Sequence, residues 1–300
     1  MSALVPIIIN GAIVLLLAPL FDGVGRKIKA IVHSRQGPPI TQTYTDILKL
    51  LGKEDLRCTG NLMFRFGPAL ALAAFLVVAV LTPMGVRPGT GLGGDMITWI
   101  YFQILGAAAI TLMAVSSGNP FSEVGSAREM MLMLSVEPII VAALITAAVK
   151  SSSLGLIDMM DYNLAHGPLV SMACGGIAIF LALQMMLGKL PFDIAEAEQE
   201  IMEGPFMEQS GPNLALLKMA CLVRQVVYCF LLVQVFVPWP MVSPWPLAVL
   251  VALGKVLVLF VLAAVIEAVM PRLRIDQAMR YSSRVLFVAL AALAFATIGV

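Results

Sequence analysis

Six acidic residues stand close together in the segment KLPFDIAEAEQEIMEGPFMEQSG, which covers residues 189–211 and is called the acidic segment below. They are Asp193, Glu196, Glu198, Glu200, Glu203 and Glu208, one third of the eighteen acidic residues in the chain. If residues 193–203 form a helix, every acid within it except Glu198 lies on one face, at spacings of three and four. Like charges at that distance raise one another's pKa, most strongly where water is excluded, so some could exchange protons near neutral pH. A solvated acidic loop accounts for the same spacing equally well.

The chain on both sides of the acidic segment has the composition of an integral membrane protein. Of its 300 residues, 60% are hydrophobic and only 12% are charged, which lies far outside the usual range for soluble globular domains. A bilayer-spanning helix needs about 20 mostly apolar residues, and eight stretches qualify: residues 3–21, 66–84, 96–116, 130–149, 168–188, 214–237, 245–269 and 285–300. We therefore predict an all-α integral membrane protein, one transmembrane domain over residues 1–300 with about eight transmembrane helices.

Lysine and arginine residues are distributed unequally between the two sets of connections. Fourteen of them fall in the connections on the side of the acidic segment, whereas only Arg87 and Lys150 fall in the opposite connections. Short cytoplasmic loops carry the basic excess in membrane proteins. We therefore predict a multi-pass protein of the cell inner (plasma) membrane, with both termini on the non-cytoplasmic side and with an acidic cytoplasmic loop over residues 189–213.

The first connection, residues 22–65, is long and has a pattern of its own. Apolar and charged residues follow one another at helical spacing in its middle, which is typical of an amphipathic helix. The apolar members are Tyr44, Ile47, Leu48, Leu50 and Leu51, and the charged members are Asp46, Lys49, Lys53 and Glu54. We predict a helix lying in the cytoplasmic interface, and a basic segment attracted to anionic lipid remains the alternative.

Ionisable residues also occur inside the apolar stretches, where each costs about 2.5 to 3.5 kcal/mol at the helix centre unless it is paired or hydrated. Glu137 is the sharpest case, because Pro138 follows it and leaves a backbone carbonyl without its helical donor. We interpret Glu137 as a hydrated, proton-bearing site, with a structural carboxylate as the alternative. Arg224 and Lys255 lie deep in the sixth and seventh stretches, and we predict that they take part in an intramembrane polar axis.

The sequence contains no self-sufficient catalytic or metal-binding constellation. Its four cysteines form no C-x-x-C pair, and its two histidines, His33 and His166, are far apart, so no iron-sulfur, zinc or haem site is indicated. The same composition argues against nucleic-acid binding. We expect any redox cofactor to belong to partner proteins.

Four stretches carry motifs that point to one family. In the acidic segment the sequence fits the pattern L-P-F-D-x-x-E-A-E-x-E, followed by G and then by E-Y-S-G, with Gln209 in place of the tyrosine. Further matches are Arg35, Gly37, Pro38, Gln42, Asp46, Lys49 and Leu50; Gly125, Arg128, Ser135 and Glu137; and Pro271, Arg272, Arg274, Asp276 and Gln277. Together they resemble the membrane component called H in bacterial respiratory complex I and its counterparts in energy-converting membrane-bound nickel-iron hydrogenases, including formate hydrogenlyase.

The length of the first connection indicates the branch within that family. Only eight residues separate Gly37 from Asp46, whereas the complex I branch resembles a longer form with a glycine-containing insert. The shorter form, together with Glu198, Gln199 and Glu200 in an A-E-Q-E match, looks like the hydrogenase branch. The alternatives are the quinone-binding membrane component of an NADH-quinone oxidoreductase, with its substrate between helix one, the amphipathic helix and the acidic segment, and a stand-alone ion transporter.

The resemblance implies a membrane anchor and proton-pathway subunit that carries no redox centre itself. It implies nickel-iron hydrogenase large and small subunits and iron-sulfur subunits docked on the cytoplasmic face, with the iron-sulfur clusters and the nickel-iron centre in those partners, and antiporter-like membrane subunits beside the chain. The implied proton-pathway residues are Asp193, Glu196, Glu198, Glu200, Glu208 and Glu137. The implied charge partners or docking residues are Arg35, Asp46, Lys49, Arg128, Arg272, Arg274 and Asp276.

Overall fold

A computed structural model describes residues 4–84, 94–240 and 245–299. The helices are α1 (Leu4–Val32), α2 (Gln42–Leu51), α3 (Leu62–Leu81), α4 (Met96–Val115), α5 (Pro120–Ser151), α6 (Leu156–His166), α7 (Val170–Leu187), α8 (Glu198–Ile201), α9 (Gly211–Leu231), α10 (Trp245–Val269) and α11 (Ile275–Ile298). A five-residue π-helical turn, Leu232–Phe236, continues α9. Within the described ranges the only β-type pairing is an isolated bridge between Asp95 and Gly155.

Seven helices in the described part of the chain are long and apolar enough to cross a membrane. They are α3, α4, α5, α7, α9 with its π-helical turn, α10 and α11, and they coincide with the second to eighth predicted stretches. The first predicted stretch lies in α1, a 29-residue helix that packs against α3, α9 and α10. An ion pair between Arg26 and Asp22, one turn apart, supports the extension of α1 beyond residue 21. The all-α, multi-pass membrane architecture is confirmed, and the count of eight is approximate.

Helix α9 occupies a central position that brings the polar residues together. It contacts α1, α2, α3, α7 and α10, while α5 and α7 both pack against α11. Val223, Val226 and Val227 of α9 are fully buried, so this helix has little freedom to shift relative to its neighbours. Arg224 of α9 is buried in the bundle and therefore needs a partner there.

The helix predicted in the first connection is present as α2. Its buried residue, Thr43, donates a hydrogen bond to Asp22 of α1 at 3.0 Å, while Leu48 and Leu51 face outward. The 11-residue helix α6 had no sequence prediction. Its buried Asn163 donates to the backbone carbonyls of Val235 and Phe236, at 2.9 and 3.2 Å, and so satisfies the end of the π-helical turn.

The acidic segment does not form the continuous helix that would align its acids. Only Glu198–Ile201 is α-helical, and a single 3₁₀ turn, Gly204–Phe206, follows it. Met202 and Glu203 have left-handed backbone conformations, with φ of +49° and +66°, which end the helix after one turn. The hypothesis of one shared acidic face is therefore wrong, because the acids point toward different neighbours.

Candidate proton-transfer site

The first half of the acidic segment is held by arginines from two other elements. Arg272, in the link between α10 and α11, lies 3.0 Å from the Asp193 carboxylate. Arg128 of α5 lies 2.8 Å from the Glu200 carboxylate, and the same amino group donates to the backbone carbonyl of Ile194 at 3.4 Å. The family resemblance implies that both arginines are charge partners or docking residues, and each lies on one acid in the structure.

The second half of the segment is held by polar groups of the first connection and of the α4–α5 link. Asn119 donates to the Glu208 carboxylate. The Ser210 hydroxyl accepts from the amide of Leu56 at 2.9 Å and donates to its carbonyl at 2.7 Å. Gln209, which replaces the tyrosine of the motif, is buried and donates to a backbone carbonyl of α3 at 3.4 Å. Several separate parts of the chain thus fix the segment.

Two glycines allow the segment to approach α5 closely. A Cβ on Gly125 would lie 2.7 Å from the Cα of Gly204, and a Cβ on Gly204 would lie 2.4 Å from the carbonyl oxygen of Ala195. Both distances are shorter than a van der Waals contact, and Gly204 has a φ of +45°, a conformation that favours glycine. The backbone of the segment therefore rests directly on α5.

Glu196 has an environment unlike that of the other acids. Among the described residues, no lysine or arginine lies within ion-pairing distance of its carboxylate. Burial, followed by the negative charges of Glu129 and Asp193, raises the pKa of Glu196 to about 8, and Glu203 adds to this while Arg224 partly offsets it. A carboxyl group with this pKa holds a proton at neutral pH and releases it slightly above.

Glu200 is the contrasting case within the same segment. Its side chain is 53% exposed, and the hydrogen bond from Arg128 lowers its pKa. It therefore stays ionised at neutral pH. Glu198 begins α8, and its side chain lies outside the described part of the structure.

Below the segment, inside the bundle, a small cavity has polar walls. Its volume is about 30 Å³, and its polar lining residues are Gln103, Glu129, Glu137, Arg224 and Tyr228. Arg224 and Glu129 form a buried ion pair at 2.8 Å. Nε of Arg224 is buried without a hydrogen-bond partner. The cavity has room for about two waters, which would satisfy such groups.

A much larger cleft opens beside the same segment. It has a volume of about 600 Å³ and is bounded by α1, α2, the acidic segment, α9 and α10. Six acidic and six basic residues line it. Its ion pairs include Arg26 with Asp46 at 3.3 Å and Lys29 with Glu267 at 2.6 Å. The cleft lies where the alternative hypothesis puts a lipid-soluble substrate.

The architecture and the motifs agree with the comparisons. The model of the family described as NADH dehydrogenase matches residues 5–298. The chain belongs to this family. The resemblance drawn from the four motif stretches is thereby confirmed.

The chain has relatives in both the hydrogenase branch and the complex I branch of the family. The chain is 40% identical over 278 residues to hydrogenase-4 component C of Escherichia coli (strain K12), covering 88% of this chain and 86% of that protein. It is 33% identical to formate hydrogenlyase subunit 4 of the same strain, covering 92% of each. It is 29% identical to the H component of the NADH-quinone oxidoreductase of Brevibacillus brevis, covering 87% of this chain and 82% of that one.

The fold of this family member is also found in a solved membrane complex. A chain of the membrane-bound sulfane sulfur reductase, described as an archaeal respiratory membrane complex, superimposes with a TM-score of 0.88 at 26% identity. The match covers 99% of this chain and all of the other.

The structure does not bring Arg224 and Lys255 into one polar axis. Arg224 pairs with Glu129, whereas Lys255 donates to the backbone carbonyls of Val237 and Pro238 at 3.1 and 2.9 Å. Lys255 thus stabilises the free carbonyls beyond the π-helical turn. The other predicted charge partners or docking residues are exposed or line the cleft: Arg35, Asp46, Lys49, Arg274 and Asp276.

Three polar residues of the cavity lay outside the predicted site residues. Glu129 is eight residues before Glu137 on α5, and Tyr228 is four residues after Arg224 on α9, spacings that put each pair on one helix face. That spacing was available in the sequence. Gln103 of α4 has no comparable signal, because a single amide in an apolar helix can also satisfy itself locally.

Proposed function

We propose that this chain is the membrane anchor and the proton-pathway and coupling subunit of an energy-converting nickel-iron hydrogenase complex of the formate hydrogenlyase type. The observation that carries the proposal is the position of Glu196. This carboxyl group lies in the acidic segment, has no described cation bound to it, and experiences the charges of the buried Arg224–Glu129 pair. That pair leads in turn to the cavity lined by Glu137.

The acids of the segment have different tasks in this proposal. Asp193, Glu200 and Glu208 are each held by a partner side chain from another element, so they transmit a displacement or a change of charge. Glu196 stores the proton, because its pKa of about 8 permits exchange near neutral pH. Glu129 and Glu137 receive it across the hydrated cavity. Glu198 belongs to the same relay by its motif position.

The remaining surface of the site serves docking. The excess of basic residues on the side of the acidic segment favours a cytoplasmic location for it. There the large and small hydrogenase subunits and the iron-sulfur subunits bind, and they supply the iron-sulfur clusters and the nickel-iron centre. Exposed Arg35, Lys49, Arg274 and Asp276 are the docking residues. Antiporter-like subunits adjoin the chain in the membrane and continue the proton path beyond Glu137.

The cleft supports a second candidate, the quinone-binding membrane component of an NADH-quinone oxidoreductase. Its volume of about 600 Å³ would admit a quinone headgroup, and 29% identity links the chain to a component of one such oxidoreductase. Its dense charge lining disfavours an apolar substrate, since ligand pockets are mostly apolar with few polar groups. The short first connection also favours the hydrogenase branch.

The test is purification of the native complex in mild detergent, followed by an activity assay and reconstitution into liposomes. We expect hydrogen evolution that is insensitive to quinone-site inhibitors. NADH-driven quinone reduction that is lost on mutating residues 37–50 would contradict the proposal. Glu137→Gln should reduce proton translocation by about 10²-fold with the complex still assembled. Glu123→Gln, an exposed position on the same helix, is the matched control and should have no effect.

A further inference from the structure

Arg224 has a contact pattern that a purely structural ion pair does not explain. Its side chain is only 8% exposed, and one amino group binds Glu129 at 2.8 Å. Its Nε is buried and has no hydrogen-bond partner. A buried guanidinium is stable only when its remaining donors are also satisfied. Arg224 is thus bound by one carboxylate, that of Glu129, while its Nε donor has no acceptor.

A second acid lies within electrostatic reach of the same guanidinium. Glu196 lines the same cleft as Cys221 and Gln225, which flank Arg224 on α9, and the charges of Arg224 and Glu129 both act on it. Gly188, the residue that ends α7 in a left-handed conformation, lies next to Arg224 and lines the cleft with Glu196. A Cβ at that position would be 3.7 Å from Nη2 of Arg224, so the absence of a side chain leaves space next to the guanidinium. The carboxyl end of α7 also favours a cation there.

We propose that Arg224 is a movable counter-ion that binds either Glu129 or Glu196, and that its movement controls proton transfer from the acidic segment into the cavity. In the state described by the structure it binds Glu129. In the second state it binds Glu196. The inference rests on the proposed function, and it adds a gate to the path.

The exchange conserves protons and charge. Before it, Glu196 is protonated, Glu129 is ionised and Arg224 is bound to Glu129. The guanidinium moves to Glu196 as the Glu196 proton passes to Glu129, directly or through water in the cavity. After it, Glu196 is ionised and paired, and Glu129 holds the proton where it can pass on to Glu137. Neither state leaves one of these three groups as an unpaired buried charge, which keeps the barrier low.

The surrounding charges set the direction of the exchange. The groups facing Glu196 are Glu129 on α5, Asp193 and Glu203 in its own segment, and Arg224 on α9. Cys221, one turn before Arg224 on α9, also faces both. On the cleft side the further charges are Asp22, Arg26 and Lys29 of α1, Asp46, Lys49 and Lys53 in the first connection, Lys189, Lys218 of α9 and Glu267 of α10. A change of charge at Asp193, which the docked arm could cause, therefore acts directly on Glu196.

The most direct experiment leaves the sequence unchanged. Structures of the native complex would be determined at pH values roughly two units below and above the Glu196 pKa of about 8. At the lower pH we expect the Arg224 guanidinium on Glu129. At the higher pH Glu196 has lost its proton and competes for the guanidinium, which we expect to move within hydrogen-bonding distance of both carboxylates. A guanidinium that stays on Glu129 alone at both values would overturn the inference.

Variants separate this gate from the path itself. Arg224→Gln should reduce proton translocation by about ten-fold or more, Arg224→Lys should restore part of it, and exposed Arg284→Gln should have no effect. In Arg224→Gln the Glu196 carboxyl should also titrate above 8, because Arg224 no longer offsets the raised pKa.

If Glu196→Gln abolishes translocation while both Arg224 variants translocate normally, the gate is wrong and the path stands. If all of them translocate normally, the proposed function is wrong.

Discussion

The cleft and the cavity lie on adjacent faces of α9, close to the acidic segment, but their charged residues differ in balance and in exposure to solvent. In the large cleft six acids meet six bases, and the pair of Arg26 and Asp46 has side chains 42% and 41% exposed. In the cavity two acids, Glu129 and Glu137, meet one base. That base and its partner are 8% and 15% exposed.

This difference suits the exposed cleft to docking and the buried cavity to proton storage and transfer. In the cleft, acids and bases are equal in number and the Arg26–Asp46 pair is exposed, so most of its charges are balanced by a neighbouring charge or by water. In the buried cavity, which has room for only about two waters, two acids share one base. One carboxyl must therefore hold a proton or be hydrated, and the position of the single guanidinium determines which carboxyl is paired. Glu196 lines the cleft and also experiences the charges of Arg224 and Glu129, which line the cavity. It therefore connects the cleft with the cavity.

The largest expected effect comes from removing both acids that Arg224 can bind. Glu129→Gln combined with Glu196→Gln leaves a buried guanidinium without a carboxylate and should destabilise the protein by about 3–5 kcal/mol. Glu196→Gln alone should not destabilise the protein and should stabilise it at neutral pH, because it removes the cost of keeping that carboxyl protonated in the folded state. Glu129→Gln alone should be intermediate, since Arg224 moves to Glu196. Denaturant unfolding of the four proteins measures this, and additive losses would contradict a shared counter-ion.

The contact between the segment and α5 should be the next most sensitive feature. Gly125→Ala puts a methyl group 2.7 Å from the Cα of Gly204 and should cost about 1–3 kcal/mol through overpacking. Because this contact positions the segment that carries Glu196, translocation should fall with stability. Gly254→Ala in α10, where nothing lies within 4 Å of an added Cβ, is the control and should be neutral or slightly stabilising. Equal melting temperatures for the two variants would argue against the close approach.

The smallest effect is expected in the cleft. Asp46→Asn breaks an exposed pair whose arginine keeps its second partner, Asp22, at 2.9 Å. It should therefore change stability by only about 0–1 kcal/mol, and this loss should shrink further at high salt. A loss as large as that of the double variant in the cavity would remove the distinction between the two regions.

The fold could be predicted from the sequence to the extent that it depends on length and apolarity. The seven spanning helices and the amphipathic helix α2 have local patterns of this kind. Helix α6 has none, because its role is to satisfy the π-helical turn of a distant helix through Asn163. The acidic segment was predicted as a site, yet its conformation depends on left-handed residues and on a glycine contact with α5.

The sequence could predict which residues belong to the candidate site, but it could not predict which side chains they bind. The motif pointed to Glu196 and Glu200 together, although their environments are opposite. Only the tertiary structure shows that Arg128 holds one of them and no described cation holds the other. Arg224 and Lys255 were expected to take part in one polar axis, but the pairing of Arg224 with Glu129 depends on how α5 and α9 pack, and Lys255 donates to backbone carbonyls instead.

The raised pKa of Glu196 also has a consequence for stability. The folded protein keeps a proton that the unfolded chain releases at the ordinary carboxyl pKa of 4.5. Between that value and about 8, the free energy of unfolding should therefore fall as the pH rises. Glu196→Gln should remove this part of the pH dependence.

The titration of Glu196 tests the central claim most directly. The infrared absorption of protonated carboxyl groups would be followed against pH in the purified complex, with Glu196→Gln and Glu200→Gln as the two variants. We predict a band that titrates at a pH of about 8, that disappears in Glu196→Gln and that persists in Glu200→Gln. A Glu196 carboxyl that is already ionised at neutral pH would contradict proton storage at this site.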